Sequence, residues 1–332
     1  MPQPVDRPRL SFYGGNLMTN QKHGVVVVDK PSGMTSHDVV FKMRKVLKTK
    51  RVGHTGTLDP DVTGVLPIVV GDATKLTEIL QMRDKRYSAT VTLGIATDTE
   101  DASGNVTARQ VVGENMSIDT VNEAIQSFIG GYSQMVPMYS SVKVNGRKLY
   151  DYARNGEIVD RPVKDIYIED IKLTSDIRKD SSTLSFDIDV KCSKGTYIRT
   201  LAFDIGKALG YPAHMSYLRR TASCGFSLDD ATPLQDLIEN PEAVNVIPVI
   251  EILDDQVHFD ISDDQALQFK ITNGQKLVKS DILNVLGLTE LDTVLFTHQN
   301  VPIGIYKTHV DKPDQLKPFK MFSNLWGTYG NI

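Results

Sequence analysis

The chain has 332 residues, enough for one large domain and a smaller one, and its 40% hydrophobic and 23% charged content is ordinary for a globular protein. No apolar run has the roughly 20 residues needed to cross a bilayer, and the N-terminus lacks a basic region ahead of an apolar core. A membrane partner is therefore not expected, and the expected location is cytoplasmic. The net charge of −4 argues against a polyanionic partner only if the charge is spread evenly.

In chain order, residues 1–22 carry Pro2, Pro4 and Pro8 without periodicity and read as a disordered leader, with Met18 as an alternative start. GVVVVDKPSG (24–33) reads as a buried strand leaving through a Pro-Gly turn. Ser36 reads as an N-cap, after which Val39, Val40, Met43, Val46 and Leu47 share one helical face. Val65–Val70 is a second apolar strand, and Pro67 places it at an edge or starts it late. Lys85–Gly94 is a third strand, and TDTEDASGN (97–105) is loop.

Helical spacing follows over Ile118–Ile129, and Asn145-Gly146 marks a hairpin in VKVNGRK. From Leu184 to Cys192 apolar and polar residues alternate, as in a half-buried strand. Ile198, Leu201, Ile205 and Leu209 mark a helix that stops at Gly210. After about Ile250 come short apolar runs with turn signals (ITNGQKL, LNVLGL, TVLFTHQN, VPIGIY), the texture of a small β-rich domain. Strands and helices do not alternate, so the expected class is α+β, with a mixed, largely antiparallel sheet. The expected domains are 23–250 and 251–332.

Charge is segregated. Residues 221–269 hold eleven Asp and Glu and no Lys or Arg, which leaves +7 for the remainder. Residues 41–54 carry Lys42, Arg44, Lys45, Lys48, Lys50 and Arg51 with no acid. A basic face for a polyanion and ordinary solvated charge both fit this pattern.

The stretch GHTGTLDPDVTGVLPIVVGDATK (53–75) is too glycine-rich for a helix and too elaborate for a plain turn. It lacks the Gly-Lys-Ser/Thr ending of a phosphate-binding loop, and the chain has no Gly-x-Ser-x-Gly. Histidines are scattered without zinc spacing, and no acidic loop follows the calcium pattern. Cys192 and Cys224 match no metal or redox spacing and read as buried thiols. Asp59 remains, on a glycine-shaped loop between two strands. It either caps the turn made with Pro60 or serves as a nucleophile or base in a site needing close backbone approach. Local pattern leaves both readings open.

The wording of this stretch resembles the signature of the bacterial TruB-type tRNA pseudouridine synthases, which isomerise uridine 55 in the T loop of tRNA. GVVVVDKPSGMTSHD, DKRYSATVTLGIATDTEDASG, PMYSSVKVNGRKLYDYARNGE, KCSKGTYIRTLAFDIGKALG and AHMSYLRRTASCGF follow in the family's order, so the resemblance spans about residues 24–230. The C-terminal piece resembles, more weakly, the PUA RNA-binding domain that closes this family.

The resemblance implies a cofactor-free and metal-free isomerase that acts as a monomer on the T arm of tRNA, without a protein partner. Asp59 would be the nucleophile. Tyr87 would stack on the target base and is a candidate for proton transfer, and Arg199 would pair with the carboxylate. Tyr197 and Leu218 would contact the flipped nucleotide, His54 would hold the remodelled T loop, and Lys30 belongs to a Lys-Pro motif near the site. Ser141 stands where the family more often has alanine, a small-for-small change. Tyr197 and Arg199 point the same way if the chain stays extended through Ile198, and diverge if the helix has begun.

Phosphate contacts are expected from Lys42, Lys45, Lys48 and the Arg219-Arg220 pair. The glycines would let backbone approach the nucleotide. A carboxylate could attack C1′ or C6, or assist proton loss from C2′, and the sequence does not choose. A tRNA-binding folding helper with incidental catalysis and a guide-RNA-dependent synthase are the alternatives.

Overall fold

The computed structural model describes residues 23–113, 116–323 and 325; the expected leader lies outside them. The catalytic-size unit is built on strands β1 (Gly24–Lys30), β2 (Val52–His54), β3 (Thr63–Val70), β4 (Lys85–Leu93), β5 (Gly130–Met135), β6 (Val163–Leu173), β7 (Thr183–Cys192) and β8 (Ala213–Ser223). Its two longest helices are α1 (Ser36–Val46) and α2 (Ile198–Ala208). The strand order is β1-β3-β8-β4-β7-β6-β5, and β2 pairs with β3. The β3–β8 neighbours are parallel, whereas the other pairs along this row are antiparallel. The class is α+β with a mixed, largely antiparallel sheet, as expected.

Two textures in the sequence have one physical cause each. The continuous run in β1 is buried on both faces: Val26 and Val28 enter the core beneath α1 and α2, while Val25 and Val27 enter a second core on the other face. In β7, Leu184, Phe186, Ile188 and Val190 are buried and the residues between them only half-buried, so the strand alternates.

Pro67 does not sit on an edge. Register pairs join β8 to β3 at Thr63 and Gly64, and β2 to β3 from Ile68 onward. Pro67 falls in the gap between these two neighbours, where a missing N–H interrupts no ladder.

The N-cap of α1 is Thr35 rather than Ser36. Its side chain accepts from Asp38 N–H while the Asp38 carboxylate accepts from the Thr35 N–H, a reciprocal capping box. Ser36 is freed for another task, bonding Leu58. The expected Asn145-Gly146 hairpin forms, with both residues at positive φ (51° and 81°).

The second, five-stranded sheet holds β9 (His258–Asp260), β10 (Leu277–Val278), β11 (Thr293–His298), β12 (Val301–His309) and β13 (Lys312–Met321). Two of the runs that suggested a β-rich texture contain helix ends. ITNGQKL closes the helix α3 (Gln265–Thr272), and LNVLGL closes α4 (Lys279–Leu286), which stops at Gly287 in the left-handed conformation. Turn residues after a short apolar run mark a helix C-terminus as well as a hairpin.

Candidate active site

Loop 55–62, between β2 and β3, is held from three directions. Backbone closes a turn in which Val62 N–H donates to Asp59 O at 3.1 Å, with Pro60 at the position that favours its fixed φ. Ser36 Oγ accepts from Leu58 N–H at 2.8 Å and tethers the loop to the first residue of α1. Lys30 Nζ donates to Pro31 O, Pro60 O and Val62 O at 2.8, 3.0 and 2.8 Å. From the other flank Arg220 donates from Nε to Val65 O at 2.7 Å and from Nη2 to Gly56 O at 3.2 Å. Asp59 thus opens a turn through its backbone, and its carboxylate is left half-exposed.

The carboxylate faces an open pocket of about 530 Å³. Tyr87 from β4, Tyr197 and Arg199 at the start of α2, and Leu218 and Arg220 from β8 share its wall. Tyr139, Ser140, Lys148 and Tyr150 also line the pocket. These residues converge because β8 runs between β3 and β4 at the middle of the sheet.

Arg199 is buried, and one Nη lies 3.6 Å from Asp59 Oδ2. Three further acceptors fix it: Tyr139 O at 2.9 Å, Asp101 Oδ2 at 3.5 Å and Thr99 O at 3.5 Å. Burial alone would raise the Asp101 pKa. Bonds from Ser103 and Thr99, with Arg199 beside it, outweigh that and hold it below the usual carboxylate range. The guanidinium therefore bridges two carboxylates, the half-buried Asp101 and Asp59 facing the pocket. Burial pushes the Tyr87 phenol up, partly offset by Arg220, so Tyr87 is a neutral hydroxyl at pH 7. The Tyr197 phenol is likewise raised by burial.

Of the expected site residues, the structure gathers Asp59, Tyr87, Tyr197, Arg199 and Leu218 in one pocket. The helix has begun at Ile198, yet Tyr197 and Arg199 both reach the pocket, because Tyr197 is the extended residue ahead of α2. His54 lies on β2 outside the pocket lining. Burial and the Arg220 charge lower its pKa, and its buried Nδ1 lacks a hydrogen-bond partner among the described residues.

Lys30 is corrected. It is fully buried with its ammonium spent on three carbonyls, so it holds the loop and cannot contact a substrate. The Arg219-Arg220 pair is corrected too: Arg219 binds Asp29 at 2.7 Å, and Arg220 is fully buried. Arg220 cannot reach a phosphate, and Arg219 is half-buried with its guanidinium paired. Gly64 (φ +108°) serves protein contact rather than nucleotide approach, because a Cβ there would lie 2.2 Å from Arg220 O. Asp101, Tyr139 and Arg220 were missed as site residues; the Thr-Glu-Asp run in a supposed plain loop was the available signal for Asp101.

Residues 44–198 match the N-terminal domain of the TruB family pseudouridylate synthases, and residues 199–245 match the tRNA pseudouridylate synthase B C-terminal domain. This chain belongs to the TruB family. A tRNA pseudouridine synthase B from Staphylococcus saprophyticus is 45% identical over 305 residues, covering 91% of this chain and 99% of that protein. One from Bacillus subtilis is 46% identical over 304 residues, covering 90% and 97%. TruB membership makes the chain a pseudouridine synthase. Among solved structures, a Cbf5-Nop10-Gar1 complex contains a chain with the same fold (TM-score 0.66, 24% identity, covering 92% of this chain and 87% of that one).

Proposed function

We propose that this chain converts uridine 55 in the T loop of tRNA to pseudouridine, with Asp59 as the catalytic carboxylate acting on a flipped-out nucleotide. The observation that carries this reading is the single half-exposed carboxylate in the pocket, ion-paired to a buried arginine that three other acceptors hold in place. The tRNA substrate comes from the relatives, which are named tRNA pseudouridine synthase B.

Isomerisation breaks the C1′–N1 bond, turns the uracil and rejoins it through C5, with no redox change and no phosphoryl group. The C5 proton leaves and N1 gains one, so the site needs a proton-transfer group beside the carboxylate and its counter-ion. Arg199, 3.6 Å from the Asp59 carboxylate, is its counter-ion in the pocket. Extruding the base costs a few kcal/mol, and stacking on an aromatic face returns about 1–3 kcal/mol. Tyr87 and Tyr197 offer such faces, Leu218 an apolar contact, and the Tyr87 hydroxyl a group for proton transfer. His54, on β2 at the start of the Asp59 loop, is the residue we assign to holding the remodelled T loop.

Phosphate contacts fall to α1. Lys42, Lys45, Lys48 and Lys50 are exposed, and with Phe41 and Arg44 most of them border a shallow depression. In this reading the protein works in the cytoplasm as a monomer, on tRNA alone.

The test is to incubate purified protein with an unmodified tRNA transcript, without added RNA, protein or metal, and to map pseudouridine by carbodiimide treatment and primer extension. One modified uridine in the T loop is expected. Modification elsewhere, or only after a second RNA is supplied, would contradict the proposal.

A further inference from the structure

Tyr197 stands immediately ahead of α2, in extended backbone (φ −98°, ψ 110°), and no side chain caps the helix from that position. What fixes it is Gln134, on β5. Its Oε1 accepts from Tyr197 N–H at 2.8 Å, and its Nε2 donates to Tyr197 O at 3.0 Å and to the Tyr132 hydroxyl at 2.7 Å. One carboxamide thus grips both polar groups of a single peptide residue, as a neighbouring strand would in an antiparallel ladder. Tyr197 O also accepts from Leu201 N–H at 3.0 Å, the first bond of α2. The grip therefore sets where the helix starts, and Arg199 lies in its first turn.

Gln134 is 1% exposed although β5 is the last strand of the sheet. A leucine of similar size would fill the same volume without three directional bonds. The polar choice is explained by what it orients.

We propose that Gln134 is a positioning residue for catalysis: it holds the Tyr197 ring at the pocket and, through the start of α2, the Arg199 guanidinium beside Asp59. Gln134 does not line the pocket. The inference rests on the pocket being the catalytic centre.

The experiment compares Gln134→Leu, which removes every bond, with Gln134→Glu, which keeps the acceptor for Tyr197 N–H and loses the donor to Tyr197 O. For each variant, kcat and KM on a tRNA transcript, the tRNA dissociation constant and the thermal midpoint are measured. Small displacements of reacting groups cost up to about 100-fold in rate. Gln134→Leu should lose about 10- to 100-fold in kcat with tRNA binding and folding retained, and Gln134→Glu should fall between it and the unaltered protein. A folded Gln134→Leu with full kcat would overturn the inference, as would turnover and binding that fall together with the folded fraction. If Gln134→Leu does not fold, Gln134→Glu decides: reduced kcat with intact binding supports positioning, and unchanged kcat overturns it. A silent unaltered protein would instead sink the reading of the pocket itself.

Discussion

Asp204 is a half-buried carboxyl whose surroundings do not offset its desolvation. It lies on α2, where burial, with the Glu100 charge adding to it, raises its pKa to about 6. Lys207, Arg161 and the Tyr132 hydroxyl work in the opposite direction. A carboxyl whose folded pKa lies above its unfolded value contributes stability that is complete below about pH 4 and lost as pH rises through about 6. Asp204→Asn carries no charge at any pH and escapes that loss. The variant should be more stable than the unaltered protein at pH 8, by about 1 kcal/mol after discounting for the half-exposed site. The gap should close below about pH 4, and urea unfolding at pH values on the two sides measures it. At this scale the motif pointed to Asp59 and Arg199, but not to the jobs of Lys30 and Arg220. A lysine or arginine in a sequence shows its charge and not its exposure, and both here are spent on backbone carbonyls of the Asp59 loop.

Among the elements, α1 joins two regions with different tasks. Its first residue holds Leu58, next to Asp59, and its 11 residues carry the chain about 16 Å to the lysine-rich end. Phe41 is 54% exposed there, with Lys45 Nζ 4.7 Å from its ring centroid. If Lys42, Lys45 and Lys48 each neutralise one phosphate, replacing all three by serine should lower the slope of log affinity against log salt by about 2–3. The rate at saturating tRNA should be unchanged. An unaltered slope in a titration from low to moderate salt would place the RNA path elsewhere. Most elements were legible because their apolar periodicity reports burial directly. Pro67 was misread, and the two C-terminal helices went unseen within a β-rich texture, because tertiary context overrode a local rule. A proline is tolerated inside a sheet where the neighbour changes, and Gly-bearing turn signals also end helices.

Across the whole molecule the two sheets share a core. Val25, Val27, Val65 and Val69 from β1 and β3 pack in one cluster with Leu295, Ile305 and Phe322 from the C-terminal unit. Arg83 reinforces the junction by donating to Ile252 O and to both Asp255 oxygens at 2.9 Å, and Lys75 Nζ donates to Met321 O at 2.5 Å. The sequence carried the change of texture near residue 250 but not this joint, because apolar runs do not record which partner covers them. Among the described residues no helix is long and apolar enough to cross a membrane. The acid-rich stretch 221–269 leaves cationic character to the remainder, where α1 and the pocket lie.

The central claim is that Asp59 performs the chemistry while the rest of the site binds and orients RNA. It is tested most directly by tritium release from a tRNA transcript labelled at uridine C5, because rejoining the base through C5 must expel that label. The unaltered protein should release tritium without cofactor or metal, and Asp59→Asn should release none while binding the tRNA with similar affinity. Release that persists in Asp59→Asn would contradict the account.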